Sequence, residues 1–456
     1  MITAEPRAQR WTARPWVIHE AKQTLRLAIP IVGTEFLLLA LSIVDIGFLG
    51  RSSSLEFAGA SLARALHFAA LSFGIGMVAA LEPVIAGASA RGDERATWRG
   101  ISAALVLLAP AACGITLLSL VILEVSRAFG VGDDIATPAR AYLLASAPTT
   151  FLYLAFLAVK VVLQARGRAG LVFVAVAAVN VLNWAACAAL TAPHPGSSAE
   201  LRLTAGTVAV VHGSMFLVLF AIGLAASGGH RHLFRESVAS IRTEIAHLAR
   251  TGALVGLQMM AEAGAATIIG AWVATRGTRD NNAFQAVSGL YALAFMLSFG
   301  FGDAASLRVG SALGRRESPR RAALVTLALN TVVALGASAT FALFGPELVA
   351  RFTNDPEVLR LGTTLIRLAA LTHLFSATQV VLFGVLRGAS DMRFIFMCAL
   401  VSHGAVALPV SLALGTWLEL GAVGAWIGIA LGHATASVAL FVRVLSKTGA
   451  ARARAA

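Results

Sequence analysis

Charge is scarce in this chain of 456 residues: only 13% of the residues are Asp, Glu, Lys or Arg, whereas 58% are hydrophobic. Soluble domains usually contain about 25% charged residues, so the composition excludes an ordinary soluble protein of this size. Apolar runs of roughly 20 residues, the length with which a helix crosses a hydrocarbon core, recur throughout the sequence. The composition therefore indicates an all-α polytopic membrane protein.

Cysteine is rare, and familiar enzymatic motifs are missing. The three cysteines, Cys113, Cys187 and Cys398, lie in apolar runs at unrelated spacings, which predicts neither a disulfide framework nor a metal motif. The sequence has no GxxxxGK[ST], HExxH or GxSxG pattern, which argues against direct use of ATP and against a membrane hydrolase. We therefore expect no cofactor, no resident metal and no catalytic residue, and an intramembrane enzyme stays a remote alternative.

The apolar runs predict twelve transmembrane helices. Their approximate bounds are 25–50, 57–90, 100–123, 140–163, 169–191, 203–226, 247–275, 283–313, 322–344, 358–386, 394–416 and 421–445. An even number of spans places both termini on the same side of the membrane.

The basic residues indicate which side that is. The formal net charge is +13, and about two thirds of the 36 lysines and arginines fall in the segments on the side of the termini. An excess of Lys and Arg marks cytoplasmic segments, so we expect both termini to be cytoplasmic and the protein to lie in the cell inner (plasma) membrane. This location accounts for the positive charge, and no nucleic-acid partner is predicted.

The sequence contains an internal repeat. FGIGMVAAL (73–81) and FGFGDAASL (299–307) lie 226 residues apart, and VVLQARGRAGLVF (161–173) and GVLRGASDMRFIF (384–396) lie 223 residues apart. Two elements in the same order at nearly the same offset indicate a duplicated six-helix unit. Because six crossings return the chain to its starting side, the repeats are parallel, and the cleft between two such lobes is the expected place for a binding site.

The repeat defines the expected domain organisation. We predict, in order, a cytoplasmic N-terminal segment, an N-terminal six-helix lobe, a cytoplasmic linker, a C-terminal six-helix lobe and a cytoplasmic tail, with bounds 1–24, 25–226, 227–246, 247–445 and 446–456.

Five features recur in the order and spacing of a known family. They are Pro30 fifteen positions before Asp45, the FGxG stretch leading to Pro83, Glu262 in span seven, FGFG before an arginine-rich turn, and QVVLFGVLRGASD (379–391). With them the chain resembles the multidrug and toxic compound extrusion (MATE) family, over nearly its whole length. The resemblance implies a two-lobed secondary antiporter, acting as a monomer in the lipid bilayer, that expels drug-like or cationic organic compounds in exchange for Na⁺ or H⁺ by alternating access.

The chain departs from the family pattern at three positions. NorM-type members carry an Asp in span ten that helps to bind the coupling cation, and the alignment through QVVLFGVLRG puts Ser376 there. In span five the family has two polar residues four apart, whereas Asn180 and Asn183 are three apart; both spacings keep the side chains on one helical face. Gly87 replaces an expected Gln.

Five acidic residues lie within predicted spans: Glu35, Asp45, Glu82, Glu262 and Asp303. Intramembrane acids are costly, and they usually face a cavity and mark an ion or substrate path. The resemblance makes Asp45 the cation-coupling carboxylate of the N-terminal lobe, with Asn180 and Asn183 as polar neighbours. The alternative for Asp45 is a structural ion pair, for instance with Arg64.

Glu262 is the predicted substrate-binding residue. It follows Met259 and Met260, whose polarizable side chains suit irregular apolar ligands, although a structural hydrogen-bonding role stays open. Glu35 lies ten positions before Asp45, so the two side chains project within roughly 80° of each other. Glu35 is therefore a further candidate for the substrate cavity.

The remaining acids have open alternatives. Asp303 either compensates for the missing carboxylate of span ten, as part of the substrate site, or pairs with Arg308 near the cytoplasmic end. Glu82 is expected to meet a basic residue of a turn. Lys160 and Arg308 lie within about two turns of a cytoplasmic end, so we expect both to extend toward the headgroups.

Three histidines lie well inside the spans of the C-terminal lobe: His373, His403 and His433. They could titrate near neutrality, but a lone helical histidine is more often a packed, hydrogen-bonded neighbour. His373 is one turn from Ser376, and the two form a possible polar site of the C-terminal lobe.

A flippase or exporter for a lipid-linked or endogenous metabolite, from the same broad superfamily, is the main alternative function. Such flippases often have more than the twelve spans predicted here. Their central cavity is often cationic, whereas the spans of this chain carry buried acids.

Overall fold

A computed structural model describes residues 15–49, 54–128, 130–191, 199–233, 235 and 237–453, and the side chain of Asp45 lies outside the described residues. The described residues form helices and turns, with no β-strand among them. The helices are α1 (Pro15–Leu49), α2 (Ser54–Ala79), α3 (Glu82–Ala90), α4 (Glu94–Ala128), α5 (Asp133–Ala165), α6 (Ala169–Thr191), α7 (Ala199–Ser227), α8 (Arg242–Ala274), α9 (Thr278–Gly314), α10 (Arg320–Val349), α11 (Pro356–Gly388), α12 (Met392–Ala399), α13 (Leu408–Trp417) and α14 (Gly421–Ala453), with a π-helix (Leu400–Ala407) between α12 and α13.

The predicted all-α polytopic fold is confirmed. Within the described residues, 11 helical stretches are long and apolar enough to cross a membrane, and Gly213–Ser227 in α7 is a shorter apolar helix. Each of the twelve predicted spans coincides with helical structure. Large apolar side chains on these helices, such as Val332 and Leu343, are exposed, as expected for surfaces that contact lipid.

Two predicted spans are less regular than their apolar runs indicated. Span two is broken between Ala79 and Glu82, where α2 ends and α3 begins. Pro83 explains the break, because it has no N–H to donate to the carbonyl of Ala79 and its ring crowds that carbonyl. Glu82 thereby falls in the first turn of α3, where the helix dipole favours a negative charge. Span eleven is formed by α12, the π-helix and α13 in succession.

The two halves of the chain, α1–α7 and α8–α14, contact each other mainly through α2 against α8 and through α1 and α3 against α9. Buried apolar residues form three clusters. The largest contains residues from both halves, including Ile85, Val162, Val255 and Leu386, near the arginine-rich turns. Of the other two, one belongs wholly to the C-terminal half and one wholly to the N-terminal half.

This arrangement of cores is asymmetric across the membrane. The shared cluster lies toward the ends of α3, α5, α9 and α11 that lead into arginine-rich turns. The separate clusters include residues of the opposite helix ends, such as Val273 and Ala422 in one half and Leu123 and Ala136 in the other. Among the described residues, the halves therefore share a buried core on the arginine-rich side only.

Candidate functional site

A polar cluster lies inside the C-terminal half and is centred on the amide of Gln379. The Gln379 Nε2 group donates to Glu262 Oε1 at 3.0 Å and lies 3.2 Å from His403 Nε2. The Gln379 Oε1 atom is 2.9 Å from His433 Nδ1, and Gln258 Nε2 donates to Glu262 Oε2 at 3.2 Å. We call these five residues, Gln258, Glu262, Gln379, His403 and His433, the Gln379 cluster.

Four helical segments supply this cluster. Gln258 and Glu262 are four residues apart on α8, which puts them on one face, and Gln379 comes from α11. His403 lies in the π-helix and His433 in α14, with their ring centroids 5.1 Å apart. Gln258, Gln379 and both histidines are buried, whereas the Glu262 side chain keeps 21% of its surface exposed.

Glu262 differs from the other described intramembrane acids in how its charge is balanced. Its hydrogen-bond donors are two neutral amides, and His403 Nε2 lies 4.0 Å away. Among the described residues, no lysine or arginine forms an ion pair with it. Met259, three positions before Glu262, packs against the large apolar cluster, and Met260 is half-buried.

His373 and Ser376 are brought next to this cluster. Ser376 is fully buried, and its hydroxyl donates to the backbone carbonyl of His373 at 3.2 Å. The Tyr291 ring contacts both His373 and His433: its centroid is 6.0 Å from that of the His373 ring and 6.4 Å from that of the His433 ring. Neither ring nitrogen of the buried His373 has a hydrogen-bond partner in the described part of the chain.

A second charged group joins the two halves on the arginine-rich side. Arg387 at the end of α11 donates through Nη2 to Asp303 Oδ1 of α9 at 2.7 Å and through Nε to Glu82 Oε2 of α3 at 3.0 Å. All three side chains are at least nine-tenths buried. We call Glu82, Asp303 and Arg387 the interhalf ion cluster, because Glu82 comes from the N-terminal half and the other two from the C-terminal half.

Close helix packing positions this ion cluster. A Cβ atom added at Gly384 would lie 2.0 Å from the carbonyl oxygen of Gly302, so only glycine permits this approach of α11 to α9. Asp303 follows Gly302 directly, and Arg387 follows Gly384 by three residues. The structure pairs Asp303 with Arg387 and not with Arg308, which instead bonds Glu20 of α1. Glu82 was expected to meet a basic residue of a turn; it does meet a basic residue, but Arg387 belongs to the last helical turn of α11 and not to the loop that follows.

Glu35 and Lys160 form an ion pair within the N-terminal half. Lys160 Nζ donates to Glu35 Oε1 at 2.7 Å, and the two side chains are 7% and 12% exposed. The expectation that Lys160 extends toward the headgroups was wrong: its ammonium group is buried, and the Glu35 carboxylate of α1 supplies the counter-ion that a buried charge requires. The roles of Glu35 and Asp303 in substrate binding stay predictions.

The predicted coupling residues of the N-terminal half lie on two helices in contact. Helix α6, which carries Asn180 and Asn183, packs against α1, which carries Asp45. Asn183 is fully buried, and Asn180 Nδ2 donates to the carbonyl of Val176 at 2.9 Å. Since the Asp45 side chain lies outside the described residues, its pairing with these amides, or with Arg64, stays a prediction.

Several residues of these groups were missed by the sequence argument. Gln258 and Gln379 carry no charge, and Arg387 lies just beyond the predicted span 358–386. Two signals were available: Gln258 lies one turn before Glu262, and Gln379 begins the motif that also contains Arg387. His403 and His433 were treated as packed neighbours, whereas they meet each other and Glu262 in the structure.

Comparisons with known proteins agree with this architecture. A family model described as MatE matches residues 30–188 and 255–412. The chain is 28% identical to the probable multidrug resistance protein NorM of Rhizobium meliloti, with 96% of each chain covered. It is 30% identical to the protein of the same name from Deinococcus radiodurans, with 95% of this chain and 97% of the relative covered.

A solved structure shows the same fold. The crystal structure of the eukaryotic MATE transporter AtDTX14 superimposes with a TM-score of 0.85 at 18% sequence identity, and the match covers 94% of this chain and 96% of that one. The two matched stretches of the family model begin 225 residues apart, close to the offset of the internal repeat.

Proposed function

The chain belongs to the MatE family, whose members are transporters and not enzymes, and on this premise we propose that it is a secondary active antiporter that exports drug-like or cationic organic compounds in exchange for H⁺ or Na⁺. The proposal includes alternating access of the two halves, a location in the inner membrane with both termini cytoplasmic, and action as a monomer.

The state of Glu262 carries this proposal. Three of the intramembrane acids, Glu35, Glu82 and Asp303, form ion pairs with Lys160 or Arg387, whereas Glu262 is held by two neutral amides and is partly exposed. A partly solvated carboxylate without a basic partner is available to a cation that enters from outside the protein. An organic cation and a proton or Na⁺ can therefore compete for it.

The surroundings of Glu262 suit a substrate with an apolar body. Met260 precedes it by two residues and is half-buried, and thioether side chains adapt to irregular apolar ligands. Tyr291 and Phe295 lie on α9 with ring centroids 6.5 Å apart, and aromatic faces attract cations. The substrate site thus combines one charge with deformable apolar contacts.

The coupling cation also requires a site in the N-terminal half. Asp45 lies on α1, which packs against α6, and Asn180 and Asn183 of α6 would supply amide oxygens. Since Ser376 replaces the carboxylate of span ten and donates its hydroxyl to its own helix, the C-terminal half offers one carboxylate fewer. Coupling therefore depends more strongly on Asp45.

Alternating access is supported by the asymmetric cores. Within the described part of the chain, the halves share a buried apolar cluster and the interhalf ion cluster on the arginine-rich side only. If that side is cytoplasmic, both contacts close the two halves toward the cytoplasm, while the apolar clusters described at the opposite helix ends belong to one half each. Export then requires the Glu82 to Arg387 contacts to break and the opposite ends of the halves to approach.

We expect Asp45→Asn to abolish coupled transport. Asparagine keeps the size of the side chain but neither releases a proton nor supplies a negative charge to Na⁺. Proteoliposomes containing the full chain are loaded with an ethidium-like cation, and its movement is followed by fluorescence under an imposed pH or Na⁺ gradient. The variant is expected to respond to neither gradient by more than about a tenth of the wild-type rate.

The matched control is Asp133→Asn, at an exposed carboxylate whose surface ion pair with Arg127 contributes little to stability. This variant should transport like the wild type. Transport by Asp45→Asn at the wild-type rate under both gradients would remove Asp45 from the coupling mechanism. Movement of a lipid-linked glycan in the same vesicles, without movement of the organic cation, would favour the flippase alternative instead.

A further inference from the structure

Three side chains of the Gln379 cluster belong to residue types that bind transition metals. Glu262, His403 and His433 each offer one ligand atom, and these atoms all lie within 4.8 Å of one another. Zinc lies about 2.0–2.2 Å from nitrogen and oxygen ligands in tetrahedral sites, which separates two ligands by roughly 3.4 Å. The three atoms therefore need to move together by only about 1 Å to share one ion.

The backbone brings the two histidines together in an unusual way. His403 lies in the π-helix Leu400–Ala407, where the N–H of Leu408 donates to the carbonyl of His403, five residues earlier. π-Helical turns are rare in proteins, and those that occur are often found at functional sites. Pro409 follows directly and cannot donate a helical hydrogen bond, which favours a change of register here.

Glycine at position 432 completes this approach. A Cβ atom added there would lie 2.6 Å from Ala407 Cβ and 2.8 Å from the carbonyl oxygen of Ser402. Helix α14 can therefore pack directly on the π-helix, and the next residue, His433, reaches His403 with ring centroids 5.1 Å apart. The close approach of the two imidazoles therefore follows from the backbone, through the π-helix and Gly432.

The hydrogen bonds of Gln379 fix the tautomers of the two imidazoles. His433 donates from Nδ1 to Gln379 Oε1, so its Nε2 carries a free lone pair, whereas His403 Nε2 accepts from Gln379 Nε2, and a metal ion would replace that hydrogen bond. Gln258 holds the other oxygen of Glu262. Outer hydrogen bonds of this kind orient metal ligands and increase affinity.

We propose that Glu262, His403 and His433 bind a divalent transition-metal ion of the Zn²⁺ class, through one carboxylate oxygen and one nitrogen of each imidazole. Two imidazoles and one carboxylate favour Zn²⁺, Co²⁺ or Cu²⁺ over Mg²⁺ and Ca²⁺, which prefer oxygen ligands. Three protein ligands leave one tetrahedral position open for water.

One consequence rests on the proposed function, because Glu262 serves both sites. The metal ion and an organic cation exclude each other there, so Zn²⁺ inhibits export of the organic cation and a chelator restores it. Metal binding itself is measured without substrate, and transport is measured with a chelator and without metal. Failure of one proposal is therefore distinguishable from failure of the other.

The test is calorimetric titration of ZnCl₂ or MgCl₂ into the purified full chain in detergent, prepared without a polyhistidine tag. The wild type should bind one Zn²⁺ at least tenfold more tightly than Mg²⁺. His403→Gln and His433→Gln should each weaken Zn²⁺ binding at least tenfold. His247→Gln, at an exposed histidine on α8 outside the cluster, should leave it unchanged.

Zn²⁺ binding with wild-type affinity in both cluster variants, or no preference of the wild type for Zn²⁺ over Mg²⁺, would overturn the proposal. If the variants fail to fold, the visible spectrum of Co²⁺ bound to the wild type decides. A Co²⁺ band typical of nitrogen and oxygen ligands, lost on addition of one equivalent of Zn²⁺, supports the site, and the absence of such a band refutes it.

Discussion

Replacement of Arg387 by methionine is expected to lower the free energy of unfolding by about 3–5 kcal/mol, the usual cost of breaking a buried ion pair from one side. Methionine fills much of the space of the arginine stem but leaves Glu82 and Asp303 buried and unpaired. The two carboxylates are 4% and 8% exposed, so water cannot replace the guanidinium. Unfolding of the detergent-solubilised chain, followed by intrinsic fluorescence, measures the loss.

Two variants make this experiment specific. Arg393→Met changes an exposed arginine just beyond the end of α11 and should unfold like the wild type. Glu82→Gln/Asp303→Asn/Arg387→Met removes all three charges and should recover most of the lost stability, since no buried charge is left unpaired. A wild-type unfolding transition in Arg387→Met alone would contradict the account.

The triple variant also separates stability from transport. Because the interhalf ion cluster joins α3 to α9 and α11, its loss removes a contact that favours closure of the arginine-rich side. We therefore expect the triple variant to be folded but to export the organic cation several-fold more slowly than the wild type.

Replacement of Glu262 by glutamine is expected to reduce export of an organic cation at least tenfold and to weaken its binding by a similar factor, which corresponds to about 1.4 kcal/mol. Glutamine has nearly the same size; its carbonyl oxygen can still accept from Gln379, and its NH2 group can donate to Gln258 once the Gln258 amide turns over. The variant should therefore unfold close to the wild type, and the loss should come from the missing negative charge. Substrate binding in detergent and export from proteoliposomes measure the two quantities.

The control for this variant is Glu347→Gln, at an exposed carboxylate of α10, which should bind and transport like the wild type. Unchanged substrate affinity in Glu262→Gln would remove Glu262 from the substrate site. A variant that binds normally but does not transport would instead assign Glu262 to the coupling cation.

The spans could be predicted from the sequence because the bilayer requires each crossing segment to be apolar and to satisfy its backbone hydrogen bonds within a helix. The break before Glu82 was not predicted, although Pro83 was visible, because prolines within membrane helices often cause only a kink. The π-helix was not predicted either, since it depends on how α14 packs through Gly432 on Ala407.

The candidate sites were predicted only in part, and the reason is the distance along the chain between partners. Glu262 stood out because acids are rare in apolar spans. The partner of Glu35, Lys160, is 125 residues away, and that of Glu82, Arg387, is 305 residues away. Such pairings follow from helix packing and from close contacts such as Gly384 on Gly302, which no local pattern reveals.

The central claim is exchange of an organic cation for H⁺ or Na⁺, and simultaneous recording of both fluxes tests it most directly. An ethidium-like cation is added to proteoliposomes without an imposed gradient, while entrapped dyes report internal pH and Na⁺. The account predicts that entry of the cation drives H⁺ or Na⁺ out of the vesicles, and that Asp45→Asn abolishes this counterflow. Entry of the cation with no movement of either ion would contradict it.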